Sequence, residues 1–310
     1  MFRSLSIDMP VSTISLSDEG PTVSRFVLGL WRLAEWDRSP SELRDYIEAC
    51  LDLGVTTFDH ADIYGDYTCE ERFGRALQGH SALRERMQIV TKCGIKLPSE
   101  NRPAHDVHHY DTSREHIVAS AEQSLKALGT DRIDLFLIHR PDPLMDPEEV
   151  AEAFSTLHRE GKVLHFGVSN FTPSQFELLA DWLDVPLVTN QVQCSLLHQD
   201  PFLDGTFDQC QRQGIAPMAW SPLGGGRLFD GEGGPLATLR QTMKEIGQAH
   251  GHATIAQIAY AWLLRSPADI VPILGTGKIE RVQRAVEAAS IELSRAEWFR
   301  LWEAAGGEIP

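Results

Sequence analysis

The segment Val55-Thr56-Thr57-Phe58-Asp59-His60-Ala61-Asp62-Ile63-Tyr64-Gly65 joins a short apolar run to a polar stretch. β-Branched and aromatic residues fill its first four positions after a helix stop at Gly54, which predicts a buried strand over 55–58. Asp59 then lies at the C-terminal end of that strand and Tyr64 on the loop after it. In a parallel α/β barrel this end of the strands is the catalytic face. Taken alone, the segment is equally compatible with an Asp59 that caps the next turn and a Tyr64 that is an ordinary half-buried aromatic.

The alternation of apolar strands with amphipathic helices continues on both sides of this segment. Counted from Phe26, it predicts eight strand-plus-helix pairs with no break in composition, and therefore a single (β/α)8 TIM barrel domain over residues 1–310. A doubly wound sheet is the alternative, but no GxGxxG follows the first strand. The predicted strands are 26–31, 55–58, 88–92, 134–139, 163–169, 188–193, 217–221 and 270–274, and the predicted helices are 40–53, 69–77, 112–128, 147–159, 173–182, 202–213, 236–265 with a break near Gly251, and 278–289.

Three further features complete the predicted architecture. A turn at Ser17–Pro21 between two mildly alternating segments predicts an N-terminal β-hairpin that closes one end of the fold. The arrangement Thr112-Ser113-Arg114-Glu115 is typical of a capping box at the start of a helix. The segment Ser294–Ala305, rich in tryptophan, predicts an extra C-terminal helix packed outside the barrel.

Composition restricts the kind of partner. The net charge of −16 opposes a broad nucleic-acid or anionic-membrane surface, although a local basic pocket for a phosphate is compatible with it. The five cysteines form no CxxC pair and show no zinc-site spacing, so reduced core thiols are expected. No signal-peptide pattern and no long uncharged apolar run is present, and we expect a soluble, cytoplasmic protein. Nothing in the pattern indicates an oligomeric state.

Polar groups follow three successive predicted strands: Asp59 with Tyr64, then Lys92, then His139. Strand ends of neighbouring units lie roughly 5 Å apart, so these side chains can share one pocket. A lysine ammonium that stabilises a phenolate makes a tyrosine usable for proton transfer at neutral pH, and a nearby carboxylate keeps that lysine charged. His139 could then hold a substrate oxygen while Tyr64 protonates it. These are the groups required to add hydride to a carbonyl carbon.

Each of these residues also has a simpler interpretation. Lys92 could be a solvated charge at a strand end, or the nucleophile of a Schiff-base aldolase. His139 could bond only to backbone. Trp31, at the end of the first strand, is a candidate wall of the substrate pocket, although an isolated tryptophan is often part of the core.

The long segment between residues 94 and 111 contains His105, His108 and His109. Histidine is a common metal ligand, but these three lack the i, i+4 spacing of a zinc enzyme, and no acid lies at ligand spacing. A metal site is therefore not favoured. We expect a βα loop over the mouth of the pocket, where barrel enzymes vary their specificity.

Taken together, several segments resemble the aldo-keto reductases, which are NADPH-dependent barrel oxidoreductases, over nearly the whole chain. No single segment is specific, but their combination is. The matching segments are Phe58–Gly65, Thr91–Lys92, Leu137–Pro141, Gly161–Asn170, Asn190–Gln191 and Ser221–Leu223.

The resemblance implies an NADPH-dependent reductase of small-molecule aldehydes or ketones, in which Asp59, Tyr64, Lys92 and His139 are catalytic and Tyr64 is the proton donor. It implies that Trp220 stacks under the nicotinamide, where the family commonly has tyrosine. Some relatives serve as regulatory channel subunits that retain cofactor, which leaves a second functional class open. Further cofactor roles are implied for Ser169, Asn170 and Gln191 at the carboxamide and for Ser221, Leu223 and Gly225 at the pyrophosphate.

The predicted adenosine end of the cofactor site lies after the last strand, at Gly275, Thr276, Lys278 and Arg281. A helix N-terminus with two nearby cations suits the 2′-phosphate of NADPH. These features favour NADPH over NADH. Many family members, however, have a lysine where this chain has Gly275, so NADPH is favoured without being required. The alternative is that both cations are ordinary charges on a helix surface.

Overall fold

In the computed structural model, which describes residues 11–230, 234 and 236–309, eight parallel strands close into a barrel. The strands along the chain are β1 (Thr13–Ser15), β2 (Thr22–Ser24), β3 (Val27–Gly29), β4 (Thr57–Asp59), β5 (Gln88–Cys93), β6 (Ile95–Lys96), β7 (His109–Tyr110), β8 (Ile133–Ile138), β9 (Val163–Ser169), β10 (Leu187–Gln193), β11 (Met218–Trp220) and β12 (Val271–Leu274). The barrel order is β3-β4-β5-β8-β9-β10-β11-β12, and β12 pairs with β3. The predicted TIM barrel is confirmed.

Helices on the outside connect the barrel strands. They are α1 (Pro40–Asp52), α2 (Tyr64–Tyr67), α3 (Cys69–Leu77), α4 (Ser81–Arg84), α5 (Arg114–Leu128), α6 (Pro147–Arg159), α7 (Pro173–Ala180), α8 (Thr206–Gln213), α9 (Ala237–Ala249), α10 (Ile255–Leu264), α11 (Ile279–Glu287) and α12 (Arg295–Ala304). Among the described residues, no helix has the length and apolar character needed to cross a bilayer.

Local sequence signals set most helix ends. Ser39 caps α1 and forms a reciprocal capping box with Glu42, and a proline occupies the first helical position. The prediction for α5 was wrong at its start. Ser113 is the cap, and its hydroxyl accepts the backbone N–H of His116. Thr112 precedes the cap, and its hydroxyl donates to the Asp142 carboxylate at 3.0 Å.

The break predicted near Gly251 is confirmed. The helix predicted over 236–265 is two helices, α9 and α10, and Gly251 between them has a φ of +68°. The segment between residues 94 and 111, predicted as a βα loop, begins and ends in the short antiparallel pair β6 and β7. The pairing of Ile95 with Tyr110, and the bond from the Asp111 backbone N–H to the Gly94 carbonyl, therefore close this loop at its base.

The N-terminal hairpin of β1 and β2 closes the bottom of the barrel, as predicted. Leu16 and Val23 are buried in the same cluster as Val27, Val90 and the other apolar side chains that fill the barrel interior. The backbone N–H of Ala216 donates to the Leu16 carbonyl at 2.7 Å and ties the hairpin to the barrel. Because the hairpin fills the N-terminal end of the barrel, a functional site can lie only at the C-terminal end of the strands.

The predicted C-terminal helix is α12, which packs on α9 and α10. The indole of Trp298 stacks on that of Trp262 with ring centroids 5.0 Å apart. All five cysteines are buried and unpaired, which agrees with the expectation of reduced core thiols.

Candidate active site

The four side chains predicted to be catalytic meet at the C-terminal end of the barrel. Asp59 is the last residue of β4, Lys92 lies near the end of β5, and His139 directly follows β8. Tyr64 begins α2, one turn beyond β4. Because β4, β5 and β8 are adjacent, in-register strands, their ends bring these groups together.

Lys92 is the centre of the group. Its side chain is fully buried, and its ammonium donates to both carboxylate oxygens of Asp59 at 2.7 and 2.8 Å. It also donates to the His60 carbonyl at 2.6 Å and to the Tyr64 hydroxyl at 3.2 Å. The interpretation of Lys92 as a solvated surface charge is therefore excluded. Burial lowers the pKa of Lys92, and the Asp59 carboxylate opposes that shift.

Gln191 extends this arrangement across the barrel. Its side-chain amide donates to Asp59 Oδ1 at 2.8 Å. The Asp59 carboxylate is thus bound by an ammonium and by an amide, and all three side chains are buried. A charged pair in such a place is stable only when its remaining hydrogen-bonding capacity is used.

Tyr64 is held as a neutral phenol. Burial, reinforced by the negative charge of Asp59, raises the pKa of Tyr64 well above its ordinary value. Lys92 was expected to favour the phenolate, but in this structure burial and the charge of Asp59 outweigh that effect on the pKa of Tyr64. Because Lys92 donates to the phenolic oxygen, the hydroxyl hydrogen of Tyr64 is free to point elsewhere. The side chain is therefore arranged as a proton donor.

His139 is a neutral imidazole. Burial, followed by the charges of Lys92 and Arg140, lowers its pKa well below the ordinary value. Its ring meets that of Tyr64 edge-on, with centroids 5.9 Å apart, and Nδ1 has no hydrogen-bond partner in the described part of the chain. The interpretation that the imidazole bonds only to backbone is not supported. A neutral imidazole can donate one N–H to a substrate oxygen.

The residues implied at the nicotinamide form a second connected group beside the first. Ser169 donates to the backbone carbonyl of Gln191 at 2.8 Å, and the Asn170 amide donates to Ser169 Oγ at 2.7 Å. The indole N–H of Trp220 donates to Asn170 Oδ1 at 3.0 Å. Asn170 has a φ of +62°, a conformation that asparagine tolerates better than most residues. These contacts hold the Trp220 ring in place at the pocket.

The glycine-rich segment after β11 has an unusual backbone. Ser221, Gly224, Gly225 and Gly226 all have positive φ. A Cβ on Gly225 or Gly226 would meet no atom within 4 Å, so open space lies beside this backbone. Leu223 packs between two of the core clusters that surround the barrel.

The segment predicted at the adenosine end lies beside that segment, because β11 and β12 pair. Lys278 is the N-cap of α11, and no side chain caps this helix. Lys278 and Arg281 are exposed, and a Cβ on Gly275 would also meet open space. The Thr276 carbonyl accepts the hydroxyl of Tyr46 at 2.6 Å. This places an uncapped helix N-terminus and two cations at the same end of the barrel as the pocket.

Two further predicted features lie at the same end of the barrel. Trp31 follows β3 and is 61% exposed, so it does not belong to the core. The loop closed by β6 and β7 packs on the turn after Tyr64, where His105 Nδ1 lies 3.3 Å from the Tyr67 hydroxyl. Within residues 11–230, 234 and 236–309, no three His, Cys, Asp or Glu side chains form a group able to hold a metal ion.

The family model for the aldo/keto reductase family matches residues 25–305. The chain belongs to that family. An oxidoreductase of Escherichia coli, YdhF, is 53% identical over 97% of this chain and 100% of its own length. A 6-dehydroglucose reductase of Agrobacterium fabrum is 47% identical over 95% of this chain and 98% of its own.

A solved structure agrees with this assignment. A thermostable aldo-keto reductase, Tm1743, in complex with the inhibitor epalrestat superimposes with a TM-score of 0.80 at 31% identity, over 95% of this chain and all of its own. This aldo/keto reductase is therefore an oxidoreductase with the barrel of its family. Nicotinamide cofactors and small carbonyl substrates are typical of the family.

The sequence reasoning missed several groups at the site of this aldo/keto reductase. Arg140 places its guanidinium 5.6 Å from the centroid of the Trp220 ring, and its position directly after His139 was the available signal. The His60 carbonyl as an acceptor for Lys92 had no signal in the sequence. The hydrogen bond between Gln191 and Asp59 joins residues 132 apart in the chain, and no local pattern predicts it.

Proposed function

We propose that this protein reduces an aldehyde or ketone with NADPH, and that Tyr64 donates the proton to the carbonyl oxygen. The observation that carries the proposal is the buried Lys92 ammonium bound at once to the Asp59 carboxylate and the Tyr64 hydroxyl. The same geometry leaves the phenolic hydrogen free. Neutral His139 beside it supplies a second donor for the same oxygen.

The residues at the predicted cofactor site fit a dinucleotide phosphate. The positive φ values and open space at Gly225 and Gly226 let an anion approach the backbone N–H groups closely. The uncapped start of α11, with Lys278 and Arg281, suits a further phosphate and favours NADPH over NADH. Trp220 would lie against the nicotinamide, with Ser169, Asn170 and Gln191 at its carboxamide.

Bound nicotinamide would supply the hydride. The chain's own groups manage the charge that develops on the carbonyl oxygen. His139 and Tyr64 would both donate to that oxygen, and the Tyr64 proton would move to it as its charge grows. Lys92 then stabilises the phenolate that remains, and Asp59 keeps Lys92 in place. The role of Lys92 therefore belongs to the step after proton transfer, when the phenol has lost its proton.

The name of the Agrobacterium relative suggests 6-dehydroglucose as the first substrate to test. Turnover would be followed by NADPH absorbance, with wild type compared with Tyr64→Phe. We expect the substitution to lower kcat by roughly 10²- to 10⁴-fold, because it removes the proton donor. NADPH affinity, measured by quenching of tryptophan fluorescence, should be nearly unchanged. A Tyr64→Phe enzyme that turns over at the wild-type rate would rule out Tyr64 as the proton donor.

The two other functional classes make distinct predictions. A Schiff-base aldolase requires Lys92 as a free nucleophile. Burial lowers the pKa of Lys92, which suits that role. The Lys92 ammonium is, however, enclosed by the Asp59 carboxylate and the His60 carbonyl. Borohydride trapping of a substrate on Lys92 would support the aldolase. A regulatory subunit that only binds cofactor predicts NADPH binding without turnover, whereas all four expected catalytic residues are present here.

A further inference from the structure

The residues directly after Tyr64 have a strained backbone. Gly65, Asp66 and Tyr67 have φ values of +57°, +57° and +65°. Asp66 and Tyr67 are the only two neighbouring non-glycine residues with positive φ in the part of the chain that the structure describes. A left-handed conformation costs an L-residue roughly 1–2 kcal/mol, so two in succession persist only where other contacts enforce them.

Glycine is required at the first position of this turn. A Cβ on Gly65 would lie 2.5 Å from the Cys69 sulfur and 2.8 Å from the Ala34 side chain. The Thr68 hydroxyl also donates to the Gly65 carbonyl at 2.6 Å and closes the turn. The chain therefore runs close to α3 here and must turn sharply after Tyr64.

The loop between β6 and β7 supplies the contacts that hold the other two residues. The Asn101 side-chain amide donates to the Asp66 carbonyl at 2.9 Å and to its carboxylate at 3.2 Å. The Tyr67 hydroxyl accepts the backbone N–H of Leu97 at 2.8 Å. The guanidinium of Arg102 lies 4.6 Å from the centroid of the Tyr67 ring and donates to the Asn101 carbonyl.

Packing does not enforce the turn on its outer side. A cavity of about 640 Å³ lies there, and its lining includes Asp62, Tyr67, Asn101 and Arg102. Tyr67, at the end of the turn, therefore has open space beside it. The hydrogen bonds from the loop therefore oppose the intrinsic preference of Asp66 and Tyr67 for a right-handed or extended backbone.

We propose that Asn101 and Tyr67 are positioning residues that clamp residues 65–67 in the left-handed turn and so hold the Tyr64 hydroxyl at Lys92. The proposal rests on the proposed function, because it gives Tyr64 the proton-donor role. The loop of residues 97–105 thus controls the chemistry without contacting the reacting atoms. It also explains why a loop rich in polar residues packs on the turn after Tyr64.

The test compares Asn101→Ala with Glu100→Ala, an adjacent exposed residue of the same loop. Turnover of 4-nitrobenzaldehyde with NADPH is the activity readout. Asn101→Ala should lower kcat about 5- to 30-fold, the range that matches loss of one clamped left-handed residue. The KM for the aldehyde and the Kd for NADPH should stay unchanged, because the Asn101 side chain bonds to Asp66 and is not among the residues predicted to bind either ligand. Glu100→Ala should behave as wild type.

A rescue variant separates clamping from general loop stability. Glycine adopts positive φ without strain, so Asp66→Gly added to Asn101→Ala should restore most of the lost kcat. Tyr67→Phe, which keeps the ring under Arg102 but removes the hydroxyl, should lower kcat in the same way as Asn101→Ala. Amide hydrogen exchange across residues 64–68 provides a readout independent of activity, and it should be faster in Asn101→Ala than in Glu100→Ala.

The outcomes are distinguishable. Equal kcat values for Asn101→Ala and Glu100→Ala, or a double variant no better than Asn101→Ala alone, would overturn the positioning role. If Tyr64→Phe loses activity while Asn101→Ala does not, only the clamp is wrong and the proposed function stands. If Tyr64→Phe is fully active, Tyr64 is not the proton donor, and the catalytic meaning of the turn fails with that part of the proposed function.

Discussion

Removing the imidazole of His60 should make the protein less sensitive to acid. The ring is fully buried against Phe73, with centroids 4.6 Å apart, and neither ring nitrogen has a hydrogen-bond partner among the described residues. Burial, followed by the charge of Lys92, lowers the pKa of His60 to about 3 from 6.5. Only the backbone carbonyl of His60 takes part in the site, so a side-chain substitution leaves that contact in place.

The sign of the effect follows from proton binding. Between pH 6.5 and 3 the unfolded chain binds a proton at this position and the folded chain does not, so acid favours unfolding. The stabilisation due to neutral His60 is complete above pH 6.5 and is lost as the pH falls. For these two pKa values the loss in the free energy of unfolding is about 2 kcal/mol at pH 5 and about 3 kcal/mol at pH 4.

The substitution His60→Leu replaces the buried imidazole with an apolar side chain of similar size and removes the titrating group. Urea unfolding, followed by tryptophan fluorescence and by circular dichroism, would be measured for both proteins at pH 8, 6, 5 and 4. The difference between the two proteins isolates His60 from every other titrating group. The free energy of unfolding of wild type, relative to the variant, should fall by about 2 kcal/mol between pH 8 and pH 5. His108→Gln, at an exposed histidine, is the control.

Two results would refute this reasoning. A difference between wild type and His60→Leu that stays constant from pH 8 to pH 4 would mean that His60 titrates alike in both states. If the difference between wild type and His108→Gln changed with pH as much as the difference between wild type and His60→Leu, acid would be acting through general charge repulsion.

Three other predictions concern the cofactor and the scaffold. Lys278→Ala should weaken NADPH about tenfold more than NADH in fluorescence titrations, because it removes a cation from the expected 2′-phosphate site, and equal weakening would place that phosphate elsewhere. Gly65→Ala should lower the free energy of unfolding by roughly 2–5 kcal/mol, because φ is +57° there and the new Cβ would lie 2.5 Å from the Cys69 sulfur. Gly79→Ala is the control: its φ is +79°, but its Cβ would meet no atom within 4 Å, so it should cost only about 1–2 kcal/mol. Asp134→Ala should destabilise by about 3–5 kcal/mol in urea, because it leaves the largely buried Arg84 guanidinium without its carboxylate; a loss below about 1 kcal/mol would mean that water compensates that charge.

Local sequence patterns predicted much of the fold because its helices and strands have local causes. The capping box at Ser39 and the proline after it set the start of α1, and the bounds of α3, α6 and β9 agree with those predicted. The start of α5 was misplaced because two adjacent hydroxyl residues, Thr112 and Ser113, precede the helix, and Ser113 is the one that accepts a backbone N–H, from His116. The sequence pattern does not decide between two such neighbours.

The candidate site, too, was predictable from the sequence in one part and not in another. Asp59, Lys92 and His139 could be located from the sequence because each follows or ends an apolar strand, and a parallel barrel gathers such ends on one face. The left-handed turn after Tyr64 could not be predicted beyond its glycine. Asp66 and Tyr67 adopt it because Asn101 and Leu97, more than 28 residues later, bind them there.

The sequence by itself determined the eightfold alternation of strands and helices, and which chemical groups stand at the strand ends, because periodicity and capping act over a few neighbouring residues. Only the tertiary structure decided how those groups behave. Burial makes His139 neutral and keeps Tyr64 protonated, and Gln191 reaches Asp59 across the barrel. The physical reason is that desolvation and long-range hydrogen bonds depend on every strand that encloses the pocket, and no single segment of the chain contains that information.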